Sequence, residues 1–123
     1  MQATLYFLQI FAFSIWAVFP LLLFLSVIIL GLGCWAGRFE NWTFYDRLYW
    51  SFITATTVGY GDKSPRHGVT KLFSVVIALS GIIMTGIIVS CAVFSAGEVL
   101  KIQVDPHEVS ELKKLQQQVR EKH

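Results

Sequence analysis

The chain has 123 residues, of which 54% are apolar and only 15% charged, whereas a typical soluble domain has about 25% charged residues. This length suits one domain and argues against a large multi-domain enzyme. The net charge of +2 offers no basic surface for nucleic acid, and two cysteines within apolar runs form neither a disulfide framework nor a metal cluster. The composition therefore favours a small integral membrane protein.

The first apolar stretch runs from Met1 to Gly37 without any Asp, Glu, Lys or Arg. A helix needs about 20 apolar residues to cross a bilayer, so this stretch is too long for one straight crossing. Proline is accepted in a first helical turn or at a kink, and Pro20 offers such a break. We predict an outer spanning helix over 18–37, with 1–17 at the interface or extending that helix past a kink. A signal peptide is the alternative, although the stretch lacks a basic n-region.

A second stretch without charged residues covers Leu72–Gly97. It is long enough to cross the membrane with some tilt and predicts an inner spanning helix over 72–97. Two spans place both termini on the same side of the membrane. The positive-inside rule does not say which side, because the central segment and the tail each hold five Lys and Arg residues.

The central segment, 38–71, is too apolar for a simple loop. Thr43 and Asp46 have the spacing of a helix N-cap and an acidic first turn, and they predict a short helix over about 44–54. Such a helix reaches about 16 Å, roughly half of the hydrocarbon thickness. A half-length apolar helix between two spans indicates a re-entrant element, whose polar backbone needs protein or water around it.

The sequence TVGYGD follows this short helix at 57–62. Glycine accepts positive φ angles without Cβ strain. Alternation of glycine with other residues therefore lets successive carbonyls turn to one side of an extended chain, which creates a cation site of backbone dipoles. Because an unsolvated ion is prohibitively costly, these oxygens would replace its water shell.

TVGYGD is the signature of potassium channels, and residues 18–97 resemble the two-transmembrane, pore-only potassium channels of prokaryotic type. The resemblance implies an all-α integral membrane protein with two transmembrane helices, a re-entrant pore helix and a selectivity-filter loop. It implies a tetramer around a central pore, since two helices cannot enclose one. It also implies a passive, potassium-selective channel in the cell membrane, with both termini cytosolic.

By the same resemblance, dehydrated potassium ions bind to backbone carbonyls of the filter and to the Thr57 hydroxyl. The implied ion-binding residues are Thr57, Val58, Gly59, Tyr60 and Gly61. The outer end of the filter would face outside, and the negative C-terminal end of the pore helix would point at a central cavity. The intact glycine–tyrosine–glycine part of the signature predicts selection of potassium over sodium.

The residues behind the filter depart from one pattern of the family. Some bacterial members carry a glutamate four residues before the signature threonine, where this chain has Ile53, so we expect no buried carboxyl–carboxylate pair. Tyr49 stands where the family commonly has tryptophan. We expect its phenol to bond Asp62 and Trp50 to brace Tyr60, which makes these side chains the filter support. Simple interfacial aromatics are the alternative.

The inner helix carries the residues that the resemblance assigns to hinge, cavity and gate. Gly81 matches the hinge glycine of the family, with close packing against the outer helix as the alternative, and Gly86 is expected to serve packing. The cavity-lining residues are Ile82, Thr85 and Val89. The lower crossing, which would form the gate, is assigned to Val93, Phe94 and Gly97. A lipid-facing position is the alternative for Phe94.

Residues 98–123 predict a cytosolic helical tail. Asp105 and Pro106 suit a helix N-cap and first turn. A 3-4-3 spacing over about two heptads then follows, with apolar residues at three of its four positions: Val109, Leu112, Gln116 and Val119. This pattern indicates a weak tetrameric bundle or a link to a regulatory domain or subunit. The sequence has no arginine-rich helix and thus no voltage sensor of the usual kind. Acidic residues and His107 near the gate are candidate pH sensors, with a solvated face as the alternative.

The expected partners are therefore identical copies of the chain and the lipid bilayer, with potassium ions in the filter and no organic cofactor. An isolated pore module of a larger voltage- or ligand-gated channel is one alternative. A potassium transporter subunit is another, although such subunits usually carry four pore loops in one chain. A non-conducting membrane protein is a third. No polar constellation offers a nucleophile with its base, so an enzyme is not predicted.

Overall fold

The computed structural model describes residues 1–103 and 106–122, and for 106–109 it describes the backbone alone. The described residues form helices and connecting turns without any strand. In chain order the helices are α1 (Gln2–Phe39), α2 (Phe44–Ala55), α3 (Gly68–Gln103) and α4 (Pro106–Glu121). Both α1 and α3 are long and apolar enough to cross a membrane. The prediction of an all-α chain with two long apolar helices and a short helix between them is confirmed.

The first helix is continuous and includes the segment before Pro20. With 38 residues it extends about 57 Å at 1.5 Å per residue, which exceeds the hydrocarbon thickness of about 30 Å. Residues 2–17 thus belong to the same helix as 18–37, and Pro20 lies inside it. Proline is tolerated in apolar helices of this kind because neighbouring groups can satisfy the carbonyl that it leaves without a donor.

The boundaries of α2 and α3 follow from local capping. Thr43 is the N-cap of α2, and its hydroxyl accepts from the backbone N–H of Asp46 at 3.3 Å, which confirms the predicted cap. The charge-free stretch alone predicted an inner helix over 72–97. The third helix is longer at both ends and covers Gly68–Gln103. Its last turns include Lys101, a cation in a position that the helix dipole favours.

The residues Ile15–Ser90 form one compact unit, in which α2 packs against α1 at Gly33 and against α3 at Gly81. Its buried core contains Ile29, Ala36, Trp50, Ala55 and Ile77. Gly33 lets α1 approach α2 closely, because a Cβ there would overlap the side chain of Ser51. The Ser51 hydroxyl is fully buried and donates to the carbonyl of Arg47 at 2.7 Å.

The second compact unit contains Met1–Ser14 and the chain from Cys91 onward. Within it, Ser95 is fully buried and donates to the carbonyl of Cys91 at 2.7 Å. On α4, Leu112 and Val119 are exposed. The predicted Asp105 cap and the His107 side chain lie outside the described part of the chain.

Candidate ion-binding site

The backbone of the TVGYGD loop alternates in handedness. The φ angles are +61° at Thr57, +51° at Gly59 and +82° at Gly61, whereas Val58 and Tyr60 keep the ordinary negative sign. The positive φ angles expected at the two glycines are therefore confirmed. Such an alternation lets successive peptide groups point their carbonyl oxygens to the same side of the loop. This is the arrangement that a row of carbonyl ligands needs.

The positive φ of Thr57 is the part of this backbone that sequence reasoning missed. A β-branched residue in the left-handed region is a genuine outlier, with a conformational cost of about 1–3 kcal/mol. Two backbone hydrogen bonds hold the start of the loop to the end of α2: the N–H of Thr57 donates to the Thr54 carbonyl at 3.2 Å, and that of Gly59 to the Ile53 carbonyl at 3.1 Å. Residue type offered no signal, because threonine normally avoids this conformation.

A cavity of about 370 Å³ lies between the C-terminal end of α2 and the middle of α3. The residues that line it are Ala55, Thr56, Thr57, Ile82, Thr85, Gly86 and Val89. The structure thus brings the three predicted cavity residues together with Thr57, the first residue of the TVGYGD loop. None of these lining residues is charged, and the C-terminal end of α2 carries the negative partial charge of the helix dipole. A cation is the ion that this environment favours.

Behind the filter, the structure places Tyr49 near Asp62. Loss of solvent around the Tyr49 phenol raises its pKa, and a hydrogen bond to the Asp62 carboxylate raises it further. Trp50 is buried, and its ring lies 5.3 Å from that of Trp42. Within the single chain Tyr60 is 72% exposed. The residue four positions before Thr57 is the buried Ile53, which places an apolar side chain where some members carry a carboxyl group.

Glu40 anchors the loop that follows the filter. Its Oε1 accepts from the backbone N–H of Arg66 at 2.9 Å and from that of His67 at 3.0 Å, and it lies 3.1 Å from Nδ1 of His67. Burial by itself would raise the pKa of this carboxyl, whose side chain is 3% exposed. The hydrogen bonds from His67 and Arg66 outweigh burial and lower the pKa to about 2.

A second anchor joins the same loop to the start of α2. The Nζ of Lys63 lies 3.1 Å from Oδ2 of Asp46. The hydrogen bond from Lys63 lowers the pKa of the Asp46 carboxyl. Sequence reasoning assigned Asp46 to capping alone and gave neither Glu40 nor Lys63 a role at the site. The only available signal was that these charges border apolar segments.

Gly81 packs against the end of α2. A Cβ at Gly81 would overlap the backbone carbonyl of Ala55, whereas a Cβ at Gly86 would meet no atom within 4 Å. The packing partner of Gly81 is thus α2, not the outer helix that was considered as the alternative. The hinge role of Gly81 stays a prediction. Of the residues assigned to the gate, Val93 and Phe94 are exposed in the single chain.

Two apolar helices, a half-length helix between them and a loop of alternating handedness define the pore domain of an ion channel. The chain matches the ion channel family over residues 3–94. It therefore belongs to the ion channel family. Membership makes it a membrane protein and places it in a family that is not enzymatic.

Potassium channels are among the curated proteins that this chain resembles. The TWiK family of potassium channels protein 7 of Caenorhabditis elegans is 51% identical over 35 residues, which are 28% of this chain. A voltage-gated potassium channel of Aeropyrum pernix is 45% identical over 38 residues, or 31% of this chain. The potassium voltage-gated channel subfamily KQT member 1 of Mus musculus is 32% identical over 68 residues, or 55% of this chain.

These matches cover only 6%, 13% and 10% of the respective relatives. The chain therefore corresponds to a small part of each of them. A search of solved structures returned no significant match.

Proposed function

We propose that this chain is a subunit of a potassium-selective channel that conducts K⁺ passively down its electrochemical gradient. The observation that carries the proposal is the alternation of φ at 57, 59 and 61, directly after a half-length helix whose negative end borders an uncharged cavity. In this proposal the carbonyls of 57–60 and the Thr57 hydroxyl replace the water shell of the ion. The potassium channels among the relatives support the choice of ion.

The proposed assembly is a homotetramer, in which each chain supplies one quarter of the filter. The exposure of Val58 and Tyr60 in the single chain supports this assembly, because one filter strand alone cannot surround an ion. Large apolar side chains along α1 and α3 are also exposed, and lipid together with neighbouring copies would cover them. The proposed location is the cell membrane. Because the chain would cross it twice, both termini would lie on the same side, the cytosolic one.

The remaining residues take supporting roles in this proposal. Tyr49 and Asp62 would brace the outer part of the filter, and Trp50, which is buried against Trp42 rather than against Tyr60 in the single chain, would support it by fixing α2. Gly81 would permit bending of α3, and the lower crossing at 93–97 would form the gate. No organic cofactor is needed, because backbone oxygens alone supply the ligands of the ion. The tail that includes α4 is the proposed point of contact for a regulatory domain or subunit.

Potassium flux into proteoliposomes tests the proposal. Purified protein is reconstituted, a potassium gradient is imposed, and uptake is measured with barium as blocker and with sodium in place of potassium. We expect barium-sensitive uptake in which potassium far exceeds sodium, because the carbonyl ligands are matched to one ion. Protein-free vesicles and a Gly59→Ala variant, which places a Cβ at a positive φ, serve as controls. Equal uptake of sodium, or no uptake by intact tetramers under any tested voltage or pH, contradicts the proposal.

A further inference from the structure

The chain that leaves the filter is tied to the beginning of α2 by an ion pair. Lys63 directly follows the TVGYGD loop, and its Nζ lies 3.1 Å from Oδ2 of Asp46. Asp46 lies in the first turn of α2, where its own N–H donates to the capping Thr43. The two partners are 17 positions apart, so the contact closes a loop that contains α2 from Asp46 onward and the filter.

The same helix therefore holds the filter at both ends. At the inner end, the N–H groups of Thr57 and Gly59 donate to carbonyls in the last turn of α2. At the outer end, Lys63 reaches back to the first turn, and the Ser64 hydroxyl donates to the Gly61 carbonyl at 3.2 Å. A backbone with a positive φ at a β-branched residue persists only when its surroundings over-determine it. Attachment at both ends is a restraint of that kind.

The environment of the pair suits a lasting attachment. The side chains of Lys63 and Asp46 are 35% and 31% exposed, so solvent screens the two charges less than at an open surface. Asp46 also stands at the positive end of the α2 dipole, which stabilises its negative charge. The hydrogen bond from Lys63 lowers the pKa of the Asp46 carboxyl, which favours the ionised form that the pair requires.

We propose that the Lys63–Asp46 ion pair is a positioning device, which holds the outer end of the filter against α2 and keeps the filter in its conducting conformation during sustained opening. The proposal rests on the proposed potassium channel, because it assigns two further residues to the same filter. Neither side chain touches the ion. Both act through the backbone of the filter.

Recordings from purified tetramers of this chain in planar bilayers test the pair. The variants are Asp46→Asn, Lys63→Gln and the double variant, and the readouts are the single-channel conductance and the rate of current decay during sustained opening. We expect each single variant to accelerate the decay about two- to fivefold, the range set by a partly exposed ion pair. The double variant should decay no faster than either single variant, because the pair can be broken only once.

The direction of the two single effects separates this proposal from a simple effect of charge on permeating ions. If the charges acted independently, removal of the negative and the positive charge would change the conductance in opposite directions, and the double variant would show the sum. That outcome overturns the proposal, as do unchanged decay rates in both single variants. Asp46→Glu, which retains the charge, should restore most of the slow decay.

Two further measurements test the proposal even if a variant does not fold or the channel does not open. Raising the concentration of an impermeant external salt around the unmodified tetramer should accelerate the decay, since salt screens the pair. Calorimetric titration of potassium into tetramers should show weaker binding to both single variants, whether or not the channel opens. If the current of the unmodified channel never decays, the titration is the test of the proposal. Equal potassium affinity in the unmodified protein and in all variants then overturns it.

The matched control is another ion pair of the chain, between Lys114 and Glu111 on α4 at 3.3 Å. Lys114→Gln and Glu111→Gln remove the same charges from the other compact unit and should leave the decay rate unchanged in the purified tetramer, where no regulatory partner is present. Failure of the proposed channel itself would appear in the unmodified protein, as an absence of potassium flux before any variant is made.

Discussion

The backbone N–H groups of Arg66 and His67 donate to Oε1 of Glu40, which also lies 3.1 Å from Nδ1 of His67. This carboxylate therefore joins the end of α1 to the beginning of α3. The arrangement requires the ionised form of the side chain, because a protonated carboxyl offers weaker acceptors. Hydrogen bonds to a charged group stabilise a fold by about 1.5–3 kcal/mol. Single residues of this kind therefore make a measurable contribution to the stability of the outer loop.

Glu40→Gln is predicted to lower the free energy of unfolding by about 1–3 kcal/mol, because it replaces charged hydrogen bonds with neutral ones. The measurement is thermal unfolding of purified tetramers in detergent at several pH values. Since the pKa of Glu40 is lowered from 4.5 to about 2, its stabilising effect is present above pH 4.5 and is lost as the pH falls towards 2.

The difference between the unmodified protein and Glu40→Gln should thus shrink across that acidic range. Glu111→Gln, at an exposed position on α4, is the control and should change the stability by less than about 0.5 kcal/mol. A Glu40→Gln difference that stayed constant from pH 5 to 2 would contradict the assignment of the effect to the ionised carboxylate.

Tyr49→Phe is predicted to shorten the openings of single channels. The substitution removes the phenolic hydroxyl group that interacts with Asp62 but keeps the aromatic ring. The packing is therefore preserved while the polar contact is lost. Single-channel records under constant voltage measure the effect. Tyr45→Phe, on the exposed face of the same helix, is the control. Equal open durations in Tyr49→Phe and the unmodified channel would show that this phenol has no bracing role.

At the scale of elements, the two ends of α2 attach different parts of the loop that follows it. Its first turn is capped by Thr43 and carries Asp46, which attaches the outer loop. Its last turn attaches the beginning of the filter through the carbonyls of Ile53 and Thr54. The burial of Trp50 and Ile53 fixes the helix in the core of its unit. The position of the filter therefore depends on α2 being held rigidly between α1 and α3.

Gly81→Ala is predicted to destabilise the packing of α3 against α2, because the added Cβ would overlap the carbonyl of Ala55. Gly86→Ala is the matched variant, since no atom lies within 4 Å of its added Cβ within the chain. We expect a clear loss of thermal stability of the tetramer for Gly81→Ala and little loss for Gly86→Ala. Flux measurements on the same samples report the open probability.

The two readouts separate the two roles of Gly81. If Gly81→Ala leaves the stability unchanged and alters only the open probability, the glycine acts as a hinge. If both change together, close packing against Ala55 explains why this position needs a glycine, without a hinge. Equal behaviour of the two alanine variants would contradict the packing argument.

At the scale of the whole molecule, the single chain leaves many large apolar side chains exposed along α1 and α3. A bilayer and further copies of the chain are the surroundings that such surfaces need. The proposed filter has the same requirement, since Val58 and Tyr60 are exposed in one chain and one filter strand alone cannot surround an ion. Ion binding and assembly should therefore be coupled.

Potassium is predicted to stabilise the tetramer. Ions that bind between chains favour the assembled state over separate chains by mass action. Replacing potassium with sodium at constant ionic strength should lower the temperature at which tetramers dissociate, as followed by size-exclusion chromatography after heating. Choline serves as a second control for ionic strength. Identical dissociation temperatures in the three salts would contradict a potassium site shared between the chains.

Several features of this molecule were predictable because they depend on local sequence. The absence of charges from Met1 to Gly37 and from Leu72 to Gly97 is enough to predict two long apolar helices. The spacing of Thr43 and Asp46 predicts the start of α2. The two glycines of the TVGYGD loop predict positive φ angles, since glycine alone takes them freely.

What the sequence by itself determined is thus the set of helices, their apolar character and the positive φ angles of the two glycines in the TVGYGD loop, because these follow from residue type within a few positions. The tertiary structure decided which groups hold the filter: Glu40 with Arg66 and His67, Lys63 with Asp46, and Gly81 against Ala55. It also decided the positive φ of Thr57. These features join residues up to 27 positions apart, or depend on such contacts, and a contact at that distance is set by how helices pack rather than by local pattern.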